Sequence, residues 1–327
     1  MSQAIQVSQA IQVSQVSAVN EAMPFDLKTW ATVQAARVEQ SLSEWVAGPV
    51  HAPVPAGLAR LNEAMRYAVL DGGKRLRPLL ALAACEAVRG NPQAALRAAC
   101  AVELIHAYSL VHDDMPCMDN DVLRRGKPTV HVQFGQAQAL LAGDALQALA
   151  FELLTPGDGS MEAATQAQLC RMLAQAAGGQ GMAGGQAIDL ASVGLPLDSS
   201  QLHEMHRLKT GALLKASVLM GAHCGHPSAA TLAGLGEYGT AIGLAFQVVD
   251  DILDVTADSA TLGKTAGKDA AQDKPTFVSL MGLDASKDYA RQLLERALES
   301  LQAVDAANPQ GTAALRALAD MLVNRQY

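Results

Sequence analysis

The residues with chemistry to offer are mostly acids, and they fall in two groups. The first is Asp113, Asp114, Asp119 and Asp121, with Arg124 and Arg125 directly after. An apolar helical run leads into Asp113, and Pro116 breaks it. Proline disfavours the α region for the residue before it and has no N–H to donate. Carboxylates this close repel one another and raise each other's pKa. A bound divalent cation would remove that repulsion. Oxygen-only ligation, with no His or Cys, favours a hard ion such as magnesium. Magnesium keeps some of its waters and shares its sites with phosphate oxygens. The adjacent arginines suit phosphate through their forked donors. The alternative is a charged loop in water.

The second group is Asp250, Asp251 and Asp254, set among Phe246, Val248, Val249, Ile252 and Leu253. Asp250 and Asp254 are one helical turn apart and share a face. Acids on an apolar helix are costly unless something pairs with them. Two acidic clusters, each ending an apolar helix, point to one pocket whose two walls hold metal against a diphosphate.

Smaller motifs surround these two. Gly72-Gly-Lys-Arg-Leu-Arg-Pro78 sets two glycines beside Lys74, Arg75 and Arg77, an arrangement that binds anions at a helix start or makes an ordinary surface turn. His106 lies in the helix leading to Asp113 and, alone, reads as a satisfied core residue. Gln186 and Asp189 are spaced to share a helix face. Lys209-Thr210-Gly211 interrupts an apolar helical pattern, which predicts a kink at a functional point. Gly263 to Pro275 is a charged loop in which Lys264, Lys268 and Lys274 could close over an anion or be solvated.

These groups must be positioned by helices. Half of the 327 residues are apolar and only 4% aromatic, a balance that favours helices over sheets. Helices are expected near 25–47, 56–70, 76–88, 93–115, 135–154, 161–178, 199–223, 228–256, 276–282, 285–303 and 311–325, with Gly and Pro breakers between them. No alternating strand runs stand out. The expected architecture is all-α: one domain over residues 23–327, a bundle whose core pocket takes side chains from facing helices. Residues 1–22 repeat Ser-Gln-Ala-Ile-Gln-Val and read as a disordered, low-complexity tail. That tail lacks the basic start and unbroken apolar core of a secretory signal. No run of about 18 apolar residues predicts a membrane span. The net charge of −8 argues against a general nucleic-acid partner. Five cysteines without metal-type spacing read as reduced thiols in a cytoplasmic protein.

Taken together and in order, the motifs resemble those of the short-chain trans-prenyltransferases, and within them the bacterial farnesyl diphosphate synthases. The resemblance rests on Asp-Asp-x4-Asp at Asp113, Asp-Asp-x-x-Asp at Asp250, Gly-Gly-Lys-Arg-Leu-Arg-Pro, Leu-Arg-Arg-Gly-Lys-Pro-Thr, Gly-Gln-x-x-Asp-Leu and Lys-Thr-Gly. It implies an all-α isoprenoid-synthase bundle, a homodimer, and the joining of an allylic diphosphate to isopentenyl diphosphate. It implies that Asp113 and Asp119, with Asp114 nearby, hold magnesium on the allylic diphosphate. Asp250, supported by Asp251 and Asp254, would hold a further ion, making three in all, with manganese able to substitute. Arg124, Lys209 and Lys264 would contact the allylic diphosphate, and Lys74, Arg77, His106 and Arg125 the isopentenyl diphosphate. Thr210 and Gln247 would face the allylic cation. Tyr108, with the small Ser109 beside it, would limit chain length. The last loop departs from the pattern: Asp273 stands where many relatives have Gly, and Phe277 where they have Tyr.

Overall fold

A computed structural model describes residues 25–46, 54–70, 72–195, 197–256 and 276–324. The expected tail at 1–22 and Lys264, Lys268, Asp273 and Lys274 lie outside the described residues. In chain order the helices are α1 (Leu27–Trp45), α2 (Ala56–Val69), α3 (Leu76–Ala87), α4 (Pro92–Asp113), α5 (Val130–Phe134), α6 (Gln136–Leu153), α7 (Ala163–Ala177), α8 (Met182–Ala191), α9 (Ser199–His206), α10 (Ala212–His223), α11 (Ala229–Thr256), α12 (Phe277–Met281), α13 (Leu283–Ser300), α14 (Gln302–Ala307) and α15 (Ala313–Val323). The all-α expectation holds.

Helix α4 is the central element. Asn91 caps it, accepting from Gln93 N at 2.9 Å and Ala94 N at 3.2 Å, and Pro92 fills the first turn where its missing N–H costs nothing. Its alanines are buried nearly all round, as a helix surrounded by others requires. It packs against α2, α3, α6 and α10. One apolar core runs along α4, through Leu104, Ile105, Leu146 and Leu213. A second gathers α3, α10, α11, α13 and α15 around Leu80, Tyr238, Phe277 and Leu315, with the Tyr238 hydroxyl donating to Leu315 O at 2.7 Å. By length and composition, α4 and α11 could each cross a membrane, but 78% and 56% of their apolar windows are buried inside the fold.

The chain differs from its sequence-based reading in five places, the first being the short α5, which no expected helix covers. Helix α8 is absent from the expected helices, although Gln186 and Asp189 have helical spacing, because Gly184 and Gly185 weaken a helix; close packing at Gly185 overrides that cost. Leu123–Arg124 and Lys127–Pro128 form a short antiparallel hairpin where no strand was expected. Its turn residues Arg125 and Gly126 both have positive φ, 53° and 75°, as a tight two-residue hairpin turn requires. The single helix expected over 199–223 is α9 and α10 joined by a π-turn, Arg207–Gly211. That turn falls at the predicted kink. Finally, 285–303 divides at Leu301 into α13 and α14.

Candidate active site

Asp113 is the last residue of α4 and Asp114 its C-cap. The chain then curls back, so that Asp119 N donates to Asp113 O at 2.9 Å. This return brings the two ends of the first motif together. Asp114 is buried, and Arg124 holds it from both sides: Nε donates to Oδ1 and Oδ2 at 2.9 and 2.8 Å, and Nη2 to Oδ1 at 2.5 Å. Asp113 has a different environment. Burial pushes its carboxyl up to about 6; Lys209 and Arg124 pull it down, while Asp119 and Asp114 add to the rise.

The π-turn supplies the next groups. Lys209 Nζ donates to Asp189 Oδ2 of α8 at 2.6 Å. Helix α8 can lie this close because residue 185 is glycine: a Cβ there would meet Lys209 N at 2.1 Å. Thr210, the next residue, turns toward α11 and donates its hydroxyl to Gln247 Oε1 at 3.2 Å. Gln247 Nε2 donates in turn to Asp251 Oδ1 at 2.8 Å. Asp251 is buried, and its other oxygen accepts from Phe277 N at 2.8 Å. A polar chain therefore runs from Thr210 to the start of α12. An extra-residue turn re-aims side chains, and here it sends two consecutive ones to different walls. Asp250 is half-exposed on α11, and Asp254, one turn on, is buried with Oδ1 lacking a hydrogen-bond partner among the described residues.

A cavity of about 360 Å³ lies against α4, α8 and the π-turn; Arg77, His106, Tyr108, Ser109, Asp113, Lys209 and Thr210 line it, while Gln247, Asp250, Asp251 and Asp254 of α11 do not. Arg77 is lowered to about 10, chiefly by burial, and its Nε has no partner among the described residues. Burial, with Arg77, Arg125, Arg124 and Arg75 nearby, holds His106 well below the usual histidine range. Ser109 Oγ donates to His106 O at 2.9 Å. Tyr108 is buried and packs edge-on against His112, ring centroids 5.7 Å apart.

A second cavity, about 290 Å³, shares Leu110 with the first and is lined by Gly72, Gly73, Asp114, Arg124 and Arg125. Gly73 has φ +103°, and a Cβ there would meet the Arg125 guanidinium at 2.7 Å. The glycine pair thus makes room for Arg125. Lys74 is exposed beside it. Arg75 faces inward, bonding Glu39 Oε2 at 2.6 Å, Glu103 Oε1 at 2.8 Å and Val69 O at 2.6 Å. Glu103 escaped the sequence reading, although a carboxylate one turn before His106 in an apolar helix needs a buried partner. The grip of Asp189 on Lys209 also escaped it, since nothing local joins the two.

The donor set fits magnesium. Asp113, Asp119, Asp250 and Asp254 offer only carboxylate oxygens, Asp254 has an unmet buried oxygen, and the raised Asp113 would be relieved by a cation. Among the described residues no three His, Cys, Asp or Glu side chains form a ready metal cage. An ion that keeps waters and binds phosphate does not need one.

Residues 58–310 match the polyprenyl synthetase family. The chain is 50% identical over 281 residues to a probable farnesyl diphosphate synthase of Sinorhizobium fredii, covering 83% of this chain and 81% of that one. It is 44% identical over 313 residues to the large subunit 1 of a chloroplastic heterodimeric geranylgeranyl pyrophosphate synthase of Arabidopsis thaliana, covering 94% and 81%. Among solved structures, an FPP/GFPP synthase of Zymomonas mobilis superposes with a TM-score of 0.79 at 41% identity, covering 91% and 98%. A geranyltransferase of Helicobacter pylori, complexed with magnesium and isoprenyl diphosphate, gives 0.80 at 35% identity, covering 93% and 100%. With this match added to two aspartate clusters and a helical bundle, the chain belongs to the magnesium-dependent polyprenyl synthetase family and is a short-chain prenyltransferase.

Proposed function

We propose that the chain condenses isopentenyl diphosphate with dimethylallyl diphosphate and then with geranyl diphosphate, giving (2E,6E)-farnesyl diphosphate. The observation that carries this reading is Tyr108, a buried aromatic ring in the cavity that also holds Asp113. It lies five residues before Asp113, about 7.5 Å lower along α4 at ~1.5 Å per residue. A tail growing down that helix from a diphosphate beside Asp113 meets the ring.

Asp113 and Asp119, with Asp114 nearby, and Asp250, with Asp251 and Asp254 supporting, would hold about three magnesium ions, with manganese able to substitute. Magnesium, when bound, supplies electrostatic stabilisation of the departing diphosphate. Asp114 and Asp251 already have hydrogen-bonded oxygens, so in this conformation they brace Arg124 and Gln247. Arg124 spends Nε and Nη2 on Asp114 and keeps Nη1 for phosphate. Lys209, aimed by Asp189, and Lys264 add charge to the allylic diphosphate. Thr210 and Gln247 face the cation. Lys74, Arg77, His106 and Arg125 hold isopentenyl diphosphate. The apolar bundle excludes water from the cation. The double bond of isopentenyl diphosphate then attacks, and the departing diphosphate is the base for the final proton. A homodimer in the cytoplasm is part of this reading.

A second reading is a twenty-carbon product, favoured by the similarity to the plant geranylgeranyl pyrophosphate synthases. Labelled isopentenyl diphosphate, dimethylallyl diphosphate and magnesium, followed by mass analysis, separate the two. A fifteen-carbon diphosphate supports the proposal, and a twenty-carbon one replaces it.

A further inference from the structure

Helix α8 carries a polar group that no step above uses. Gln186 lines the larger cavity with Asp113, Lys209 and Thr210. Its amide nitrogen and amide oxygen are both buried, and neither has a hydrogen-bond partner among the described residues. An unmet buried donor or acceptor costs about 1–3 kcal/mol, and here both halves of one amide are unmet. An apolar side chain of the same length would avoid that cost, so packing does not account for a glutamine. Its position is also fixed. Gly185, the residue before it, lies in backbone contact with Lys209. Asp189, three residues later and on the same face, binds the Lys209 ammonium. Gln186 therefore sits at the cationic end of the cavity.

We propose that Gln186 is a catalytic residue whose amide spans the breaking allylic carbon–oxygen bond, Nε2 donating to the departing diphosphate oxygen and Oε1 facing the allylic carbon. The assignment rests on the prenyltransferase reading. When the bond breaks, its electron pair leaves with the oxygen and the carbon becomes an allylic cation. A primary amide presents a donor and an acceptor side by side, and so meets both charges as they form. Both amide atoms are buried in the ligand-free protein, so the proposed contact requires the side chain to rotate toward the substrate. The contact strengthens as charge separates, which is the condition for lowering the barrier rather than only binding the substrate. The amide is neutral, so it adds no anion beside the diphosphate, as a carboxylate would.

The test uses Gln186→Met, which keeps length and removes both polar atoms, and Gln186→Glu, which keeps an acceptor and adds charge. The single-turnover rate of allylic condensation, both KM values and the Tm of the ligand-free protein are measured. The Met variant should condense about 10–1000-fold more slowly, with both KM values within about threefold of wild type and a Tm unchanged or raised, because an unmet amide has gone. The Glu variant should be as slow or slower. A Met variant less than about tenfold slower, or one that slows while its Tm falls, overturns the assignment, the latter by making the amide structural. If wild type makes no condensation product from isopentenyl and dimethylallyl diphosphates, the prenyltransferase reading itself fails, so the two failures are distinct.

Discussion

Lys209 and Asp189 form a 2.6 Å ion pair across the join between the π-turn and α8, and Asp189 is buried. The pair holds a long flexible side chain at the cavity wall near Asp113. Removing the carboxylate should free that side chain without removing its charge. Asp189→Asn is therefore expected to raise KM for the allylic diphosphate by about tenfold, worth ~1.4 kcal/mol, with little effect on KM for isopentenyl diphosphate. Steady-state kinetics with each substrate varied in turn check this. Equal effects on both would place Lys209 elsewhere in the reaction.

Gly185 sets the distance between α8 and the π-turn. In Gly185→Ala the new Cβ would stand 2.1 Å from Lys209 N, and a backbone neighbour cannot move aside as a side chain can. We expect a loss of about 1–3 kcal/mol of stability, the usual cost of overpacking, together with reduced turnover. Denaturant unfolding at constant m-value measures the first. A fully stable, fully active Ala variant would mean the two elements separate easily.

Buried His206 gives the protein a pH dependence. Burial, first, and Lys209 hold its ring down to about 3, from an ordinary value of 6.5. In the folded state it stays neutral between those values, while in the unfolded chain it takes a proton. The unfolded state thus binds more protons in this window, and stability falls as pH drops below 6.5. The contribution is about 1.4 kcal/mol per pH unit at most. His206→Phe, which keeps a ring against Phe277, should flatten the fall in Tm between pH 7 and pH 5. An unchanged slope would assign the pH dependence to other groups.

Tyr108→Ala should open the cavity floor and shift product from fifteen carbons toward twenty. Mass analysis of products from a variant with wild-type Tm decides it. An unchanged fifteen-carbon product would mean that another side chain sets the length.

Much of the site was legible because its chemistry is local. The two aspartate clusters, the arginine pair and Lys209-Thr210 each lie within a few residues, and acids at the ends of apolar helices are conspicuous. The kink at Lys209-Thr210 was legible too, since a β-branched polar residue before glycine disrupts an apolar helix. The pairings were not. Asp114 with Arg124, Asp189 with Lys209, and Asp251 with Phe277 N join residues that only the fold brings together. Helix α8 was hidden by its glycines, whose low helix propensity is outweighed by a contact with an element about twenty residues away. The contact at Gly73 was hidden for the same reason: its space is filled by Arg125, from a distant hairpin.

The central claim is tested most directly by incubating the purified chain with labelled isopentenyl diphosphate, dimethylallyl diphosphate and magnesium, and weighing the products. A fifteen-carbon diphosphate, formed through a ten-carbon intermediate and abolished by excess chelator or by Asp113→Ala, is the predicted result. Absence of any condensation product, or full activity in excess chelator, would contradict it.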